Sequence, residues 1–242
     1  MSPYLSVIIP IYNEEERIGG TLKKIAVYLS RQNYPYEIIV VDDASSDKTV
    51  KIIEDSGEKI VLLRNKRRRG KGYGVRQGVL SATGDFVLFS DADLSTPIEE
   101  SEKLLSWLKK GYHLAIGSRR LPDSEIPIPQ PFLRRLMGKI FNLLVRIFVV
   151  RGFRDTQCGF KCFEKKTANF LFSKQQLSGF CFDVEILYLA RKFKKRVKEV
   201  PVRWLNSSAS KIGPLKHSFL MFLDLFRIKI NDRRGVYDYP GD

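Results

Sequence analysis

The chain is poor in cysteine, poor in histidine and short of acid. Its three cysteines, Cys158, Cys162 and Cys181, form no CxxC pair. A disulfide framework or thiolate zinc site is therefore not expected, and a reducing, intracellular setting fits. Histidine occurs only as His113 and His217; His113 opens an apolar run and reads as structural. Residues 1–10 lack the basic and long apolar regions of a signal peptide, so none is expected. No internal repeat or low-complexity tract appears. Only 27 Asp and Glu oppose 42 Lys and Arg, leaving a net charge of +15. That surplus points to polyanionic partners (nucleic acid, an anionic membrane face or phosphorylated substrates), and charge alone does not choose among them. A 43% hydrophobic content over 242 residues gives one large domain, or a domain with an appendage, and excludes disorder.

Strand and helix signals alternate through the first half. Residues 5–11 (LSVIIPI) and 37–41 (EIIVV) are short, β-branched apolar runs, as strands buried on both faces of a parallel sheet require. Between them Ile18, Leu22, Ile25 and Leu29 recur at helical spacing. A helix is predicted after Ser45 and Ser46, strands over 59–63, 85–90 and 112–117, and a helix over 74–82. Thr96-Pro97-Ile98-Glu99 has the pattern of a capping box with proline at the first helical position, opening a helix to about Lys110. The alternation predicts an open, mostly parallel α/β sheet flanked by helices, whose ligands bind at the carboxyl ends of the strands.

The pattern changes after Ser118. Residues 121–131 carry four prolines and read as a loop. Residues 132–150 are strongly apolar, but Arg135, Lys139, Asn142 and Arg146 fall in one helical stripe. Such a helix would reach about 28 Å, nearly a bilayer core. A charge at the bilayer centre costs about 2.5–3.5 kcal/mol, so Lys139 disfavours spanning and the interface suits the stripe better. Residues 215–230 form a second segment of this kind. The division expected is a nucleotide-binding part over 1–130 and an acceptor-binding part over 131–242, together one catalytic domain.

Asp91-Ala92-Asp93 follows the strand DFVLFS directly. Two carboxylates flanking a small residue suit a hard Mg²⁺ or Mn²⁺ ion that completes its shell with phosphate oxygens and water. The same pair would also serve as a helix-capping loop. Asp42-Asp43 and Pro10-Ile11-Tyr12-Asn13-Glu14 end two further strands, which puts acidic or hydrogen-bonding groups from three strand ends on one rim.

VIIPIYNEEERI, EIIVVDDASSDKT, RGKGYGVRQG, GDFVLFSDADLS and AIGSRR resemble, in order and spacing, family-2 inverting glycosyltransferases of the glycosyltransferase A-type fold. RDTQCGFKCF, GFCFDVEILYLA and VPVRWLNSSASKIGP are similar to the branch that makes dolichyl-phosphate glucose, next to the dolichyl-phosphate mannose synthases. The resemblance implies that Pro10, Tyr12, Glu14, Val41 and Asp43 hold the base and ribose, and that Asp91 and Asp93 hold the metal and diphosphate. Mannose synthases carry a glutamine at the position of Ser95, which makes Ser95 a weaker metal ligand. It implies that Arg119, Arg134, Ser210 and Lys211 engage the acceptor phosphate and departing diphosphate, while Asp183 and Glu185 orient the site. The donor implied is UDP-glucose, with GDP-mannose as the alternative; the acceptor is dolichyl or another polyprenyl phosphate, met at the cytoplasmic face of a membrane by peripheral association. Lys71 ends the basic run 64–71 within reach of the nucleotide, and no aromatic–basic platform accompanies that run, so nucleic acid is not an expected partner. A nucleic-acid module and a transferase acting on a soluble glycan remain the competing readings.

Overall fold

The computed structural model describes residues 2–128, 132–205 and 214–238, the side chains of 132–134 and 214–219 excepted. Strands β1 (Leu5–Ile11), β2 (Tyr36–Asp42), β3 (Ile60–Arg64) and β4 (Phe86–Ser90) alternate with helices α1 (Ile18–Ser30), α2 (Thr49–Glu54) and α3 (Lys71–Ser81). After α4 (Ser101–Lys109) come β5 (Leu114–Ser118), α5 (Phe132–Phe148), β6 (Phe160–Glu164), α6 (Lys165–Lys174), α7 (Phe182–Lys192), β7 (Val197–Pro201) and α8 (Pro214–Arg233). The strands form one sheet in the order β3-β2-β1-β4-β6-β5-β7. All neighbours are parallel except β6, which runs against both β4 and β5.

The sheet is buried on both faces. Leu5, Val7, Ile9 and Val40 meet α1 and α4 on one side; Ile8, Val41, Phe89 and Phe163 meet α3, α6 and α7 on the other. Helix α3 approaches very closely, because a Cβ on Gly78 would come 2.4 Å from the Ile8 side chain. The chain leaves β1 for β2 on one side and reaches β4 on the other. That reversal opens a crevice at the carboxyl ends of β1 and β4, the expected ligand position in such sheets.

Several boundaries differ from the sequence reading, each for a local reason. Helix α3 begins at Lys71 instead of Gly74: Gly70 takes φ 102°, a left-handed turn that glycine alone adopts without strain, and starts the helix early. The capping box does not form. Pro97 is extended (ψ 146°) and lies outside the helix, which opens as a 3₁₀ turn over Ile98–Glu100 with no side-chain cap. Strands β6 and β7 carried no expectation. In β6 a lysine interrupts the apolar run, and β7 is a half-exposed edge strand with Lys198 and Glu199.

Helix α5 exposes Arg135, Lys139 and Arg146 as expected, but Asn142 is buried and donates to the Arg154 carbonyl at 2.8 Å. The same exposed side also carries Ile140, Leu143 and Ile147, each more than half exposed. No helix among the described residues is long and apolar enough to cross a membrane.

Candidate active site

The loops leaving β1, β2 and β4 build one rim. Each turns through a left-handed non-glycine residue: Asn13 (φ 52°), Ala44 (φ 64°) and Leu94 (φ 45°). Such residues are costly and persist only where surrounding contacts hold them. Here the Asn13 N–H donates to Ser45 Oγ at 2.9 Å and the Ser46 N–H to Asn13 Oδ1 at 2.8 Å, stitching two loops together. The Ser95 N–H donates to Asp93 Oδ1 at 2.9 Å, which turns the chain through Leu94.

Asp91 and Asp93 lie where expected, with the small Ala92 buried between them and its carbonyl accepting from Thr21 Oγ1 at 2.6 Å. Asp93 is exposed on the rim. Lys71 Nζ rests 2.7 Å from Asp91 Oδ1, between the Phe89 and Phe180 rings. Burial pulls the Lys71 pKa down, but Asp91 and Asp183 outweigh it and hold the ammonium above its ordinary value. Ser95 is buried at the foot of this turn.

Asp43 holds the basic run in shape. Its carboxylate accepts from Asn65 Nδ2 at 3.0 Å and from the Arg69 and Gly70 N–H groups at 2.8 Å each, leaving about one lone-pair site for a ligand. Arg68 stacks over the Tyr12 ring at 4.0 Å. The run 64–71 is therefore partly folded onto the rim instead of being a wholly solvated loop. Glu14 pairs with Arg17 at 2.7 Å. Pro10 and Val41 form the floor under Gly74, about 3.6–3.7 Å from the position its Cβ would take. Val41 is fully buried, so its side chain supports the rim from below instead of lining it.

Because β6 is antiparallel, its entry residues arrive at the same rim. The Asp91 N–H donates to the Gly159 carbonyl at 3.1 Å, and a Cβ on Gly159 would lie 1.9 Å from Asp91 Oδ2. Gly159→Ala is thus expected to swing Asp91 off the rim and lower transfer by at least about tenfold, a cost typical of a misplaced binding group. Kinetics alongside a thermal melt of the variant checks this; unchanged kcat/KM would refute the close approach.

Two ion pairs, each with a buried carboxylate, brace the site. Arg119 forks onto Asp155, with Nε to Oδ2 at 2.7 Å and Nη2 to Oδ1 at 2.8 Å. Burial raises the Asp155 pKa, but the Arg119 charge and hydrogen bonds win and hold it well below the usual range. Two of the five Arg119 donors are thereby committed, so it meets an anion with the remainder of its guanidinium. Stability from Asp155 is present in full above the ordinary aspartate value of about 4 and is lost as pH falls through its depressed folded value. Denaturant midpoints measured from pH 7 to pH 2 should fall less in Asp155→Asn than in the parent chain.

The second pair joins Lys161 Nζ to Asp183 Oδ1 at 2.6 Å, with Nζ also 2.5 Å from the Cys158 carbonyl. Burial raises the Asp183 pKa above its ordinary value against the pull of Lys161 and Lys71. The Asp183 charge also acts on Lys71, which ties this pair to the rim. Glu185 belongs to the fold: it accepts from the Gln176 and Leu177 N–H groups at 3.0 and 2.9 Å and from Tyr237 Oη at 2.6 Å. Sequence reasoning assigned no role to Asp155, Gly159 or Lys161. The signals available were the segment RDTQCGFKCF, which carried the resemblance without assigning these roles, and a lysine inside an apolar strand. The three cysteines are buried and unlinked, and burial raises the pKa of each thiol. His113 Nδ1 accepts from the Arg196 N–H at 2.9 Å, a structural contact. Ser210, Lys211 and the Arg134 side chain lie outside the described residues.

Residues 6–168 match the family described as Glycosyl transferase family 2. The chain belongs to that family. It is 40% identical to the dolichyl-phosphate beta-glucosyltransferase of Drosophila melanogaster, over 96% of this chain and 76% of that protein. The Homo sapiens protein of the same name is 34% identical, over 96% and 77% of the two chains. Among solved structures, mannosyl-3-phosphoglycerate synthase from Rubrobacter xylanophilus superposes with a TM-score of 0.70 at 18% identity, covering 99% of this chain and 77% of that one. Glucosyl-3-phosphoglycerate synthase from Mycobacterium tuberculosis, solved with Mn²⁺, UDP and glucosyl-3-phosphoglycerate, gives 0.67 at 18% identity over 96% and 80%. The fold of this glycosyltransferase is thus the mostly parallel, helix-flanked sheet of those enzymes.

Proposed function

We propose that this glycosyltransferase moves glucose from UDP-glucose to dolichyl (polyprenyl) phosphate at the cytoplasmic face of a membrane. The observation that carries this reading is the rim itself: Asp91 and Asp93 at the sheet's crevice, with Lys71 paired to Asp91 and Arg119 near enough for its charge to interact with Asp91. The names of the relatives support the sugar and the acceptor.

The donor set fits a divalent ion. Asp91 and Asp93 offer hard carboxylate oxygens, with Ser95 as a third, weaker candidate. Two carboxylates suit Mg²⁺ or Mn²⁺ that draws its remaining ligands from a diphosphate and water. When bound, the ion supplies charge stabilisation to the leaving diphosphate. Lys71 adds a second cation to that diphosphate, while Pro10, Tyr12, Glu14 and Asp43 frame the base and ribose. The acceptor phosphate has a second pKa of about 6, so it reaches the site already anionic and needs positioning more than a general base. Arg119, Arg134, Ser210 and Lys211 are proposed to position it. Its oxygen attacks the anomeric carbon, the bond from that carbon to the UDP oxygen breaks, and the bonding electrons leave with UDP. Asp183, tied to Lys161, orients the cations and abstracts no proton.

The membrane side of the proposal rests on α5 and α8. Ile140, Leu143 and Ile147 on α5, and Leu220, Phe226 and Ile230 on α8, are exposed. The Phe148 and Phe226 rings join the two helices, 6.1 Å apart. Arg135, Lys139, Arg146 and Arg227 border this face, the pattern of helices lying in a lipid interface. A transferase for soluble glycans would leave that apolar face without a use. Paired Leu143→Asp and Phe226→Asp changes should reduce sedimentation with anionic liposomes at least about fivefold, since each charge would have to enter the apolar layer. Unchanged sedimentation would remove the membrane assignment.

The function is tested with radiolabelled UDP-glucose or GDP-mannose, dolichyl phosphate and Mn²⁺. Organic-extractable label from UDP-glucose alone is the expected result. Label from GDP-mannose instead would change the donor, and none from either would refute the acceptor.

A further inference from the structure

We propose that Lys71 is an internal counter-ion that keeps Asp91 from a divalent cation until a nucleoside diphosphate arrives, so that metal and nucleotide bind as a coupled pair. This rests on the nucleotide-sugar reading above and goes beyond it by assigning an order and a reason.

The Lys71 ammonium lies against Asp91 Oδ1 at 2.7 Å, and the charges of Asp183 and Asp93 also act on it. It therefore occupies one of the carboxylate oxygens that a metal at Asp91 would need. A divalent ion approaching Asp91 meets a resident positive charge and an oxygen already committed. Asp93 alone is a poor ligand set for such an ion.

The backbone on either side of Lys71 is closely packed. A Cβ on Gly70 would lie 2.4 Å from the Ser178 carbonyl, and one on Gly72 would lie 2.7 Å from Phe182 Cβ. The Tyr73 N–H donates to the same Ser178 carbonyl at 3.2 Å. The first turn of α3 is thus fixed against the segment before α7, and only the four-carbon stem of Lys71 is long enough to redirect the charge. Phe89 and Phe180, with ring centroids 5.3 and 5.9 Å from Nζ, border the path of that stem.

A diphosphate changes the balance. It offers the ammonium a more highly charged partner and offers a metal the oxygens the protein lacks. As the ammonium turns to the diphosphate, Asp91 is released to the metal. Asp183 is not left stranded, because Lys161 pairs with it at 2.6 Å in the buried layer beneath. That second lysine makes the exchange affordable without burying an uncompensated charge. Gly159, whose Cβ would overlap Asp91, keeps the other carboxylate oxygen clear of side chain.

The test measures Mn²⁺ binding by electron paramagnetic resonance and UDP binding by calorimetry on the full chain. In the parent, saturating UDP should tighten Mn²⁺ by at least about tenfold, and Mn²⁺ should tighten UDP by the same factor, because the coupling is reciprocal. Lys71→Met keeps the apolar stem and removes the charge. It should bind Mn²⁺ without nucleotide at least about tenfold more tightly than the parent, with coupling reduced to under about threefold. Lys71→Arg should retain the weak Mn²⁺ binding and the coupling, and Lys71→Gln gives a second neutral variant should the Met form fail to fold. Neutral variants that bind Mn²⁺ no more tightly than the parent would overturn the proposal. A parent chain that binds no UDP even with Mn²⁺ would overturn the nucleotide reading, and this proposal with it.

Discussion

Asp93→Ala is expected to lower kcat/KM for glucosyl transfer by about a thousandfold or more, equivalent to roughly 4 kcal/mol of transition-state stabilisation. The residue is exposed on the rim, so the loss should come with little change in stability, under about 1 kcal/mol. Among the described residues, its hydrogen bond to the fold is the one it accepts from the Ser95 N–H at 2.9 Å. Asp93→Asn preserves that bond through Oδ1 and removes only the charge. If the charge is what the reaction needs, the Asn variant should lose nearly as much activity as the Ala variant. If the loop geometry were what matters, Asn would restore it. Full activity in either variant would refute the placement of the diphosphate and metal at Asp91 and Asp93.

Lys161→Ala should be the most damaging single change to the fold. Lys161 and Asp183 have side chains only 1% and 5% exposed. Removing the lysine leaves the buried carboxylate without its hydrogen-bonded partner, which costs about 3–5 kcal/mol. For a chain of this size each kcal/mol lowers Tm by about 2–4 °C, so the melt should fall by roughly 6–20 °C. Pairing Lys161→Met with Asp183→Asn removes both charges and should recover most of that loss. The double variant should nevertheless transfer poorly, because Asp183 is one of the charges that hold Lys71. Recovery of stability without recovery of activity separates the two duties of the pair. A Lys161→Ala protein as stable as the parent would show that Asp183 finds compensation elsewhere.

The parts of this protein that sequence alone determined are those set by local periodicity and by order along the chain. The run LSVIIPI could only be a strand buried on both faces, and β1 spans those same seven residues. Ile18, Leu22, Ile25 and Leu29 repeat at the helical period, and all four are buried in α1. Strand after helix after strand placed Pro10–Glu14, Asp43 and Asp91-Ala92-Asp93 on one rim, because parallel strands share an end. Tertiary structure decided what faces that rim from elsewhere in the chain. The antiparallel insertion of β6 between β4 and β5 brings Gly159 under Asp91, a contact across 68 positions that no spacing rule records. Lys161 broke the apolar pattern of its strand, and only the arrival of Asp183 from α7 explains how its charge is tolerated. Arg119 was legible as a cation near the site, but its commitment to Asp155 was not, since the partner lies 36 residues away. Local preference is written in neighbours along the chain; charge compensation and steric clearance depend on neighbours in space.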